Sequence, residues 1–198
     1  MRRYTPAEYL AFERSSPEKH EYFDGEIFAM AGASKDHVRV TTNILGRLFA
    51  QLDGQPCQPN SSDLRIKFPT TGRYTYADVT VACPPLEFED QELDTLLNPR
   101  VVIEVLSPST ERNDRGAKLR GYQQLPSVQE ILLVAQDQAR IEHLVRADDG
   151  WRLNIALGLE EAVELTSIGC HLALAQVYQG VALPTEPSVL LDEPKREQ

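Results

Sequence analysis

Tryptophan occurs once in this 198-residue chain and methionine twice, and no apolar run approaches the roughly 20 residues that cross a bilayer. The N-terminal "MRRYTPAEYL" has two arginines but no apolar stretch behind them, so it does not read as a signal peptide. Cys57, Cys83 and Cys170 are widely spaced and form no CxxC pair, which argues against a disulfide framework and against a cysteine zinc site. A reducing cytoplasm is the default expectation. Basic charge is also scarce: 20 Lys and Arg against 30 Asp and Glu leave a net charge of −10. Broad, non-specific attraction to nucleic acid is therefore weak, because phosphate binding needs clustered cations.

What is present is unevenly placed. "LEFEDQELD", residues 86–94, carries five acids and no base, and reads as an exposed loop. Arg100, Arg112, Arg115, Lys118 and Arg120 crowd the following stretch, a local patch compatible with a phosphate substrate. Thr5, Pro6 and Glu8 form a capping box that opens a helix to about Ser16. Asp24-Gly25 between two apolar-rich runs predicts a hairpin. Ser34 caps a second helix in which Val38, Thr41, Leu45, Leu48 and Leu52 keep helical spacing up to Gly54. "DLRIKF" and "YTYADVTVAC" read as strands, as do "RVVIEVL" and "QEILLVAQ", the last two flanking a helix from about Asp114 to Gln124. That order implies a parallel crossover. Three short antiparallel strands follow, in "ARIEHLVRA", "GWRLNIAL" and "AVELTS". The expectation is one α/β domain over residues 1–183 with a mixed sheet, and a poorly ordered tail over residues 184–198.

Glu104 is the anomaly. It shares a strand face with Val102 and Leu106, and an unpartnered buried carboxylate costs several kcal/mol or takes up a proton. The bland readings are an edge strand with one wet face, or a core pairing with an arginine such as Arg65. The other reading sets it opposite Asp78, whose face also carries Tyr76 and Thr80. Two carboxylates held together by strand pairing call for a cation between them, and Mg²⁺, with Mn²⁺ as substitute, commonly uses one or two carboxylates. Lys118, early in the crossover helix, lies at the same end of the layer as Glu104, with Tyr122 four residues on; Tyr122 reads as packing. Two carboxylates, a divalent ion and a lysine suit phosphodiester hydrolysis by metal-activated water. The Ser107–Thr110 stretch lacks a histidine placed to activate a nucleophile. His20, His143 and His171 show no ligand spacing and read as structural.

"YADVTV", "RVVIEVLSPST", "NDRGAKLRGY" and "DGEIFAMAG…HVRV" together resemble the Uma family of restriction-endonuclease-like proteins, within the PD-(D/E)XK nuclease superfamily, over residues 4–181. The resemblance implies an α/β restriction-endonuclease-like fold: a mixed β-sheet core flanked by helices, an N-terminal helix-hairpin-helix segment and a C-terminal antiparallel extension. It also implies Mg²⁺-dependent cleavage of nucleic acid, DNA first, often by a homodimer. Asp78 matches the first acid and Glu104 the second. The usual lysine position falls on Leu106, so the lysine would be Lys118, relocated to the helix; Ala77 stands where proline is common. Glu26 and His37 match positions near the family's active site, Glu26 as a further metal or water ligand and His37 as a phosphate contact or general base. Glu26 directly follows a turn and His37 a helix cap, where either residue is also unremarkable. The rival reading is a non-catalytic nucleic-acid-binding or protein-interaction module on the same fold. Glycoside hydrolysis by the carboxylate pair ranks lower, since the chain has no aromatic sugar platform.

Overall fold

The computed structural model describes residues 2–30 and 32–183; the expected tail over residues 184–198 lies outside them. Helix α1 (Pro6–Ser15) starts as its sequence dictates. The Thr5 hydroxyl accepts from the Glu8 N–H, and the Glu8 carboxylate takes the Thr5 N–H at 2.8 Å. Strands β1 (His20–Phe23) and β2 (Glu26–Ala29) are joined by Asp24-Gly25, both with positive φ, as a two-residue hairpin loop requires. Helix α2 (Lys35–Gln51) is capped by the Ser34 hydroxyl, and its buried stripe is Val40, Ile44 and Leu48. The stripe expected from Val38 and Thr41 is therefore rotated, and Val38 faces outward.

Two sheets replace the single one expected. A six-stranded sheet has the order β11-β10-β9-β8-β6-β3, from β3 (Gln58–Ser61), β6 (Val79–Ala82), β8 (Pro99–Leu106), β9 (Glu130–Ala135), β10 (Arg140–Ala147) and β11 (Gly150–Leu157). A five-stranded sheet has the order β2-β1-β5-β4-β7, with β4 (Arg65–Phe68), β5 (Arg73–Tyr76) and β7 (Thr95–Leu96). The run read as one strand, "YTYADVTVAC", breaks at Ala77-Asp78 and passes from one sheet to the other. Asp78 itself makes the break: its Oδ2 accepts the Val105 N–H at 2.7 Å, a side-chain acceptor standing in for a ladder carbonyl.

Strands β8 and β9 are parallel, as the crossover demands. The crossover consists of α3 (Glu111–Asn113), a π-helical turn (Asp114–Lys118) and α4 (Leu119–Gln124). Alternation along β8 divides the core. Val101, Ile103 and Val105 pack with α2, while Val102 and Leu106 join Tyr122 of α4 and Phe68 of β4. A hairpin of β12 (Ala162–Leu165) and β13 (Cys170–Ala173), followed by α5 (Leu174–Val177), closes the α2 side.

One further expectation is corrected, and the exposed acidic loop, present as expected, proves to be anchored. Cys57 and Cys83 form a disulfide, linking the chain before β3 to the end of β6. Their separation of 26 residues hid a proximity that antiparallel β3–β6 pairing creates, and the support for a reducing compartment goes with it. The acidic stretch over residues 86–94 is pinned: Arg14 binds Asp90 and Asp94, Lys67 pairs with Glu89, and Phe88 bridges Leu96. No helix among the described residues is long and apolar enough to cross a membrane.

Candidate active site

Val79 pairs with Ile103 across β6 and β8, so continuing the register sets Asp78 opposite Glu104. Glu104 is 2 % exposed, on the face that carries Val102 and Leu106. The cation facing it is Lys118 rather than Arg65, which instead binds Asp94 and Thr95. Lys118 Nζ lies 2.7 Å from Glu104 Oε1, 3.3 Å from Asp114 Oδ1 and 3.8 Å from Glu21 Oε1, and donates to the Tyr76 carbonyl at 2.9 Å. Tyr122 packs in the core as expected and also donates its hydroxyl to Glu104 Oε1 at 2.6 Å. His37 Nε2 lies 3.2 Å from Asp78 Oδ2. His37, Tyr76, Asp78, Glu104, Asp114 and Lys118 line a cleft of about 930 Å³ whose walls also include Ser107–Thr110, the start of α2 and Met30 just past the β1–β2 hairpin.

A family model described as "Putative restriction endonuclease" matches residues 6–175. The chain belongs to the Uma2 family. Two uncharacterized Synechocystis proteins are similar along most of their length. One is 40% identical over 178 residues, covering 90% of this chain and 93% of the relative. The other is 34% identical over 163 residues, covering 82% and 92%. The fold is also that of a crystal structure from Anabaena variabilis, described as a putative nuclease belonging to DUF820. It aligns with a TM-score of 0.69 at 18% identity over 88% of this chain and 97% of that one. Membership and shared architecture together give this Uma2 chain a nuclease-like fold.

The electrostatics of the cleft floor have one origin: several carboxylates surround one ammonium. Burial raises the Glu104 carboxyl to about 8, and the Asp114 and Asp78 charges add to the rise against the pull of Lys118. Burial alone would depress Lys118, yet Glu104, Glu21 and Asp114 hold it above the ordinary lysine range. Glu21 is itself lowered despite burial, because Lys118 and Arg73 stand beside it. Burial likewise opposes charge on His37, but its contact with Asp78 raises it.

Glu26 is not drawn into this group. It pairs opposite Phe23 beside the turn, whereas Glu21, paired opposite Phe28, reaches Arg73, Thr75 and the vicinity of Lys118. Asp114 and Glu21 went unnoticed in the sequence. Asp114 sits four residues before Lys118 on the same turn, a spacing that was there to be seen. Glu21 depends on β1 pairing with β5, which no local pattern reveals.

The contacts leave one oxygen of each opposed acid available. Both bonds to Glu104 fall on Oε1 and both to Asp78 on Oδ2, while Oε2 and Oδ1 accept nothing from the described residues. Among those residues no cluster of three or more His, Cys, Asp or Glu side chains is arranged to hold a metal. Two carboxylate oxygens facing a cleft nevertheless fit a hard divalent ion that takes its other ligands from water and phosphate.

Proposed function

We propose that this Uma2 protein is a Mg²⁺-dependent nuclease, with Mn²⁺ able to substitute, that hydrolyses phosphodiester bonds of nucleic acid, DNA first among candidates. The observation that carries the reading is the close contact of Glu104 with Lys118, buried in an apolar sheet face opposite Asp78 and lining a cleft. A structural ion pair gains nothing from such a position, since desolvation offsets the attraction. Groups with perturbed protonation in a cleft are the usual mark of chemistry.

Asp78 and Glu104 would hold the ion, which when bound supplies a water of lowered pKa and charge neutralisation at the phosphate. Lys118, kept charged by its carboxylate neighbours, orients the attacking water and offers a proton donor to the developing oxyanion. Its ammonium is fixed by the Tyr76 carbonyl and by Asp114, so little reorganisation is needed. His37 steadies Asp78 and can accept or release a proton near neutrality. A homodimer is part of the same reading: β11 is an edge strand whose half-exposed Leu153, Ile155 and Leu157 offer a face to a second copy.

Calorimetric titration of Mn²⁺ tests the reading directly. Wild type should bind, Glu104→Gln and Asp78→Asn should not, and Lys118→Met should bind while failing to cleave oligonucleotides. A wild type that binds no metal at millimolar concentration, with or without an oligonucleotide, leaves the interaction-module alternative in front.

A further inference from the structure

The cleft contains the wrong charge for a duplex. Its lining includes five acids (Glu18, Asp63, Asp78, Glu104 and Asp114) against two amines, Lys19 and Lys118, and both amines are already paired with carboxylates. A double helix is held mainly by cations laid along two phosphate backbones, and the cleft floor has none to spare.

The hairpin beside it has a different character. Paired residues share a face, so Glu21 and Phe28 point the same way, as do Phe23 and Glu26. Met30, two residues past Phe28, continues that face and lines the cleft. Phe23 is 43 % exposed, Phe28 47 % and Met30 37 %. The Arg73 guanidinium lies 5.6 Å from the Phe23 ring centroid and also binds Glu21, the residue that reaches toward Lys118. An apolar, partly aromatic strip therefore runs from the candidate site outward along an edge of the five-stranded sheet.

Exposed cations flank it. Lys35 lies on α2 three residues before Val38, which lines the cleft, whereas the Arg39 side chain runs along Gly180 on the α5 side. Arg112 adjoins Asn113, which accepts from Arg73. Lys35 and Arg112 are exposed, and neither takes part in an ion pair among the described residues. Acid at the floor, a strip leading through Met30 to the rings of Phe28 and Phe23 outside the cleft, and cations nearby match a strand whose bases are free to stack while its phosphates stay near the surface.

We infer that the cleft takes an unpaired nucleic-acid strand rather than a duplex, with bases stacked along Phe28, Met30 and Phe23 and phosphates drawn to Lys35 and Arg112. The inference rests on the nuclease reading and assigns its substrate class. Phe23 and Phe28 contribute by stacking, which every base permits, so the strip predicts little dependence on sequence.

Fluorescence anisotropy decides the matter, using labelled oligothymidine of about 15 nucleotides, the span of a typical single-strand site, and the matching duplex with oligodeoxyadenosine. Titrations are run in EDTA and again with Ca²⁺. The single strand should bind at least about tenfold more tightly than the duplex, and Phe28→Ala should lose about tenfold, the loss of one stacked base. Lys35→Ala with Arg112→Ala should lower the salt-dependence slope of binding by about 1.4, given about 0.7 per phosphate contact. Phe28 is half exposed, so its alanine variant should keep the wild-type circular dichroism spectrum and melting curve. A duplex bound as tightly as the single strand, or a Phe28→Ala variant that binds normally, overturns the inference and leaves the nuclease reading standing. Failure to bind either form overturns it too, and together with absent Mn²⁺ binding it removes the nuclease reading as well.

Discussion

Replacing Lys118 by methionine keeps the length of the side chain and deletes its charge. Lys118 is 5 % exposed and touches Glu104, Asp114 and the Tyr76 carbonyl. Removing a buried ammonium on which several carboxyls converge costs about 3–5 kcal/mol, because Asp114 and Glu21 lose a compensating charge and Glu104 a donor. The pH dependence makes the test sharper. The Glu104 carboxyl titrates near 8 in the folded protein against an ordinary value of 4.5. Between those values the native state holds a proton that the unfolded chain has released, so stability falls by about 1.4 kcal/mol per pH unit, and levels off above 8. Without Lys118 the carboxyl rises further, and the decline continues upward past 8. The gap between wild type and Lys118→Met should therefore be steady from pH 6 to 8 and widen by about 1–2 kcal/mol by pH 9.5. Urea unfolding followed by circular dichroism at pH 7, 8 and 9.5 measures it. Adding Glu104→Gln should abolish the widening and recover part of the loss, as expected for coupled neighbours. A loss below about 1 kcal/mol, equal at pH 7 and 9.5, would refute the claim that Lys118 serves a buried carboxylate.

Gly121→Ala should destabilise the fold by about 1–3 kcal/mol despite alanine's better helix propensity, since an added Cβ would stand 2.2 Å from the Phe68 ring, itself packed against Tyr122; a raised melting temperature would show that the ring gives way. Reduction, or Cys57→Ser with Cys83→Ser, should cost about 3–4 kcal/mol for the chain closed by that disulfide. A melting curve indifferent to dithiothreitol would show that the bond contributes nothing.

The legible parts of this chain were those encoded within a few residues. The capping box at Thr5 and Glu8, the Asp24-Gly25 turn and the β8-helix-β9 crossover all follow from short patterns, and all form. The candidate site was half legible for the same reason. Glu104 stood out because one acid interrupts an apolar strand, and Asp78 because its strand offers a polar face. What escaped depends on residues far apart in sequence. The split of one apparent strand into two sheets turns on Asp78 capturing the Val105 N–H, 27 residues away. The disulfide depends on β3 lying beside β6. Glu26 entered through the family resemblance and Glu21 through no signal at all, yet pairing with β5 brings Glu21 to Arg73 and Thr75.

The same reasoning explains why the lysine could leave the strand. At Leu106 a lysine would displace a side chain that packs in the α4-side core. From the π-helical turn, Lys118 instead reaches the same carboxylate across the layer, and the turn's wider spacing brings Asp114 inward with it. Both residues are buried, and in the turn's backbone the Leu119 N–H donates to the Asp114 carbonyl five residues back. The sheet thus keeps an unbroken apolar face up to Glu104, while charge is delivered from a helix that must pass there anyway to reach β9. An ammonium bound on several sides cannot drift, and that fixity is what the proposed water-orienting role requires. Delivery from the helix therefore leaves Lys118 in contact with Glu104, which stands opposite Asp78.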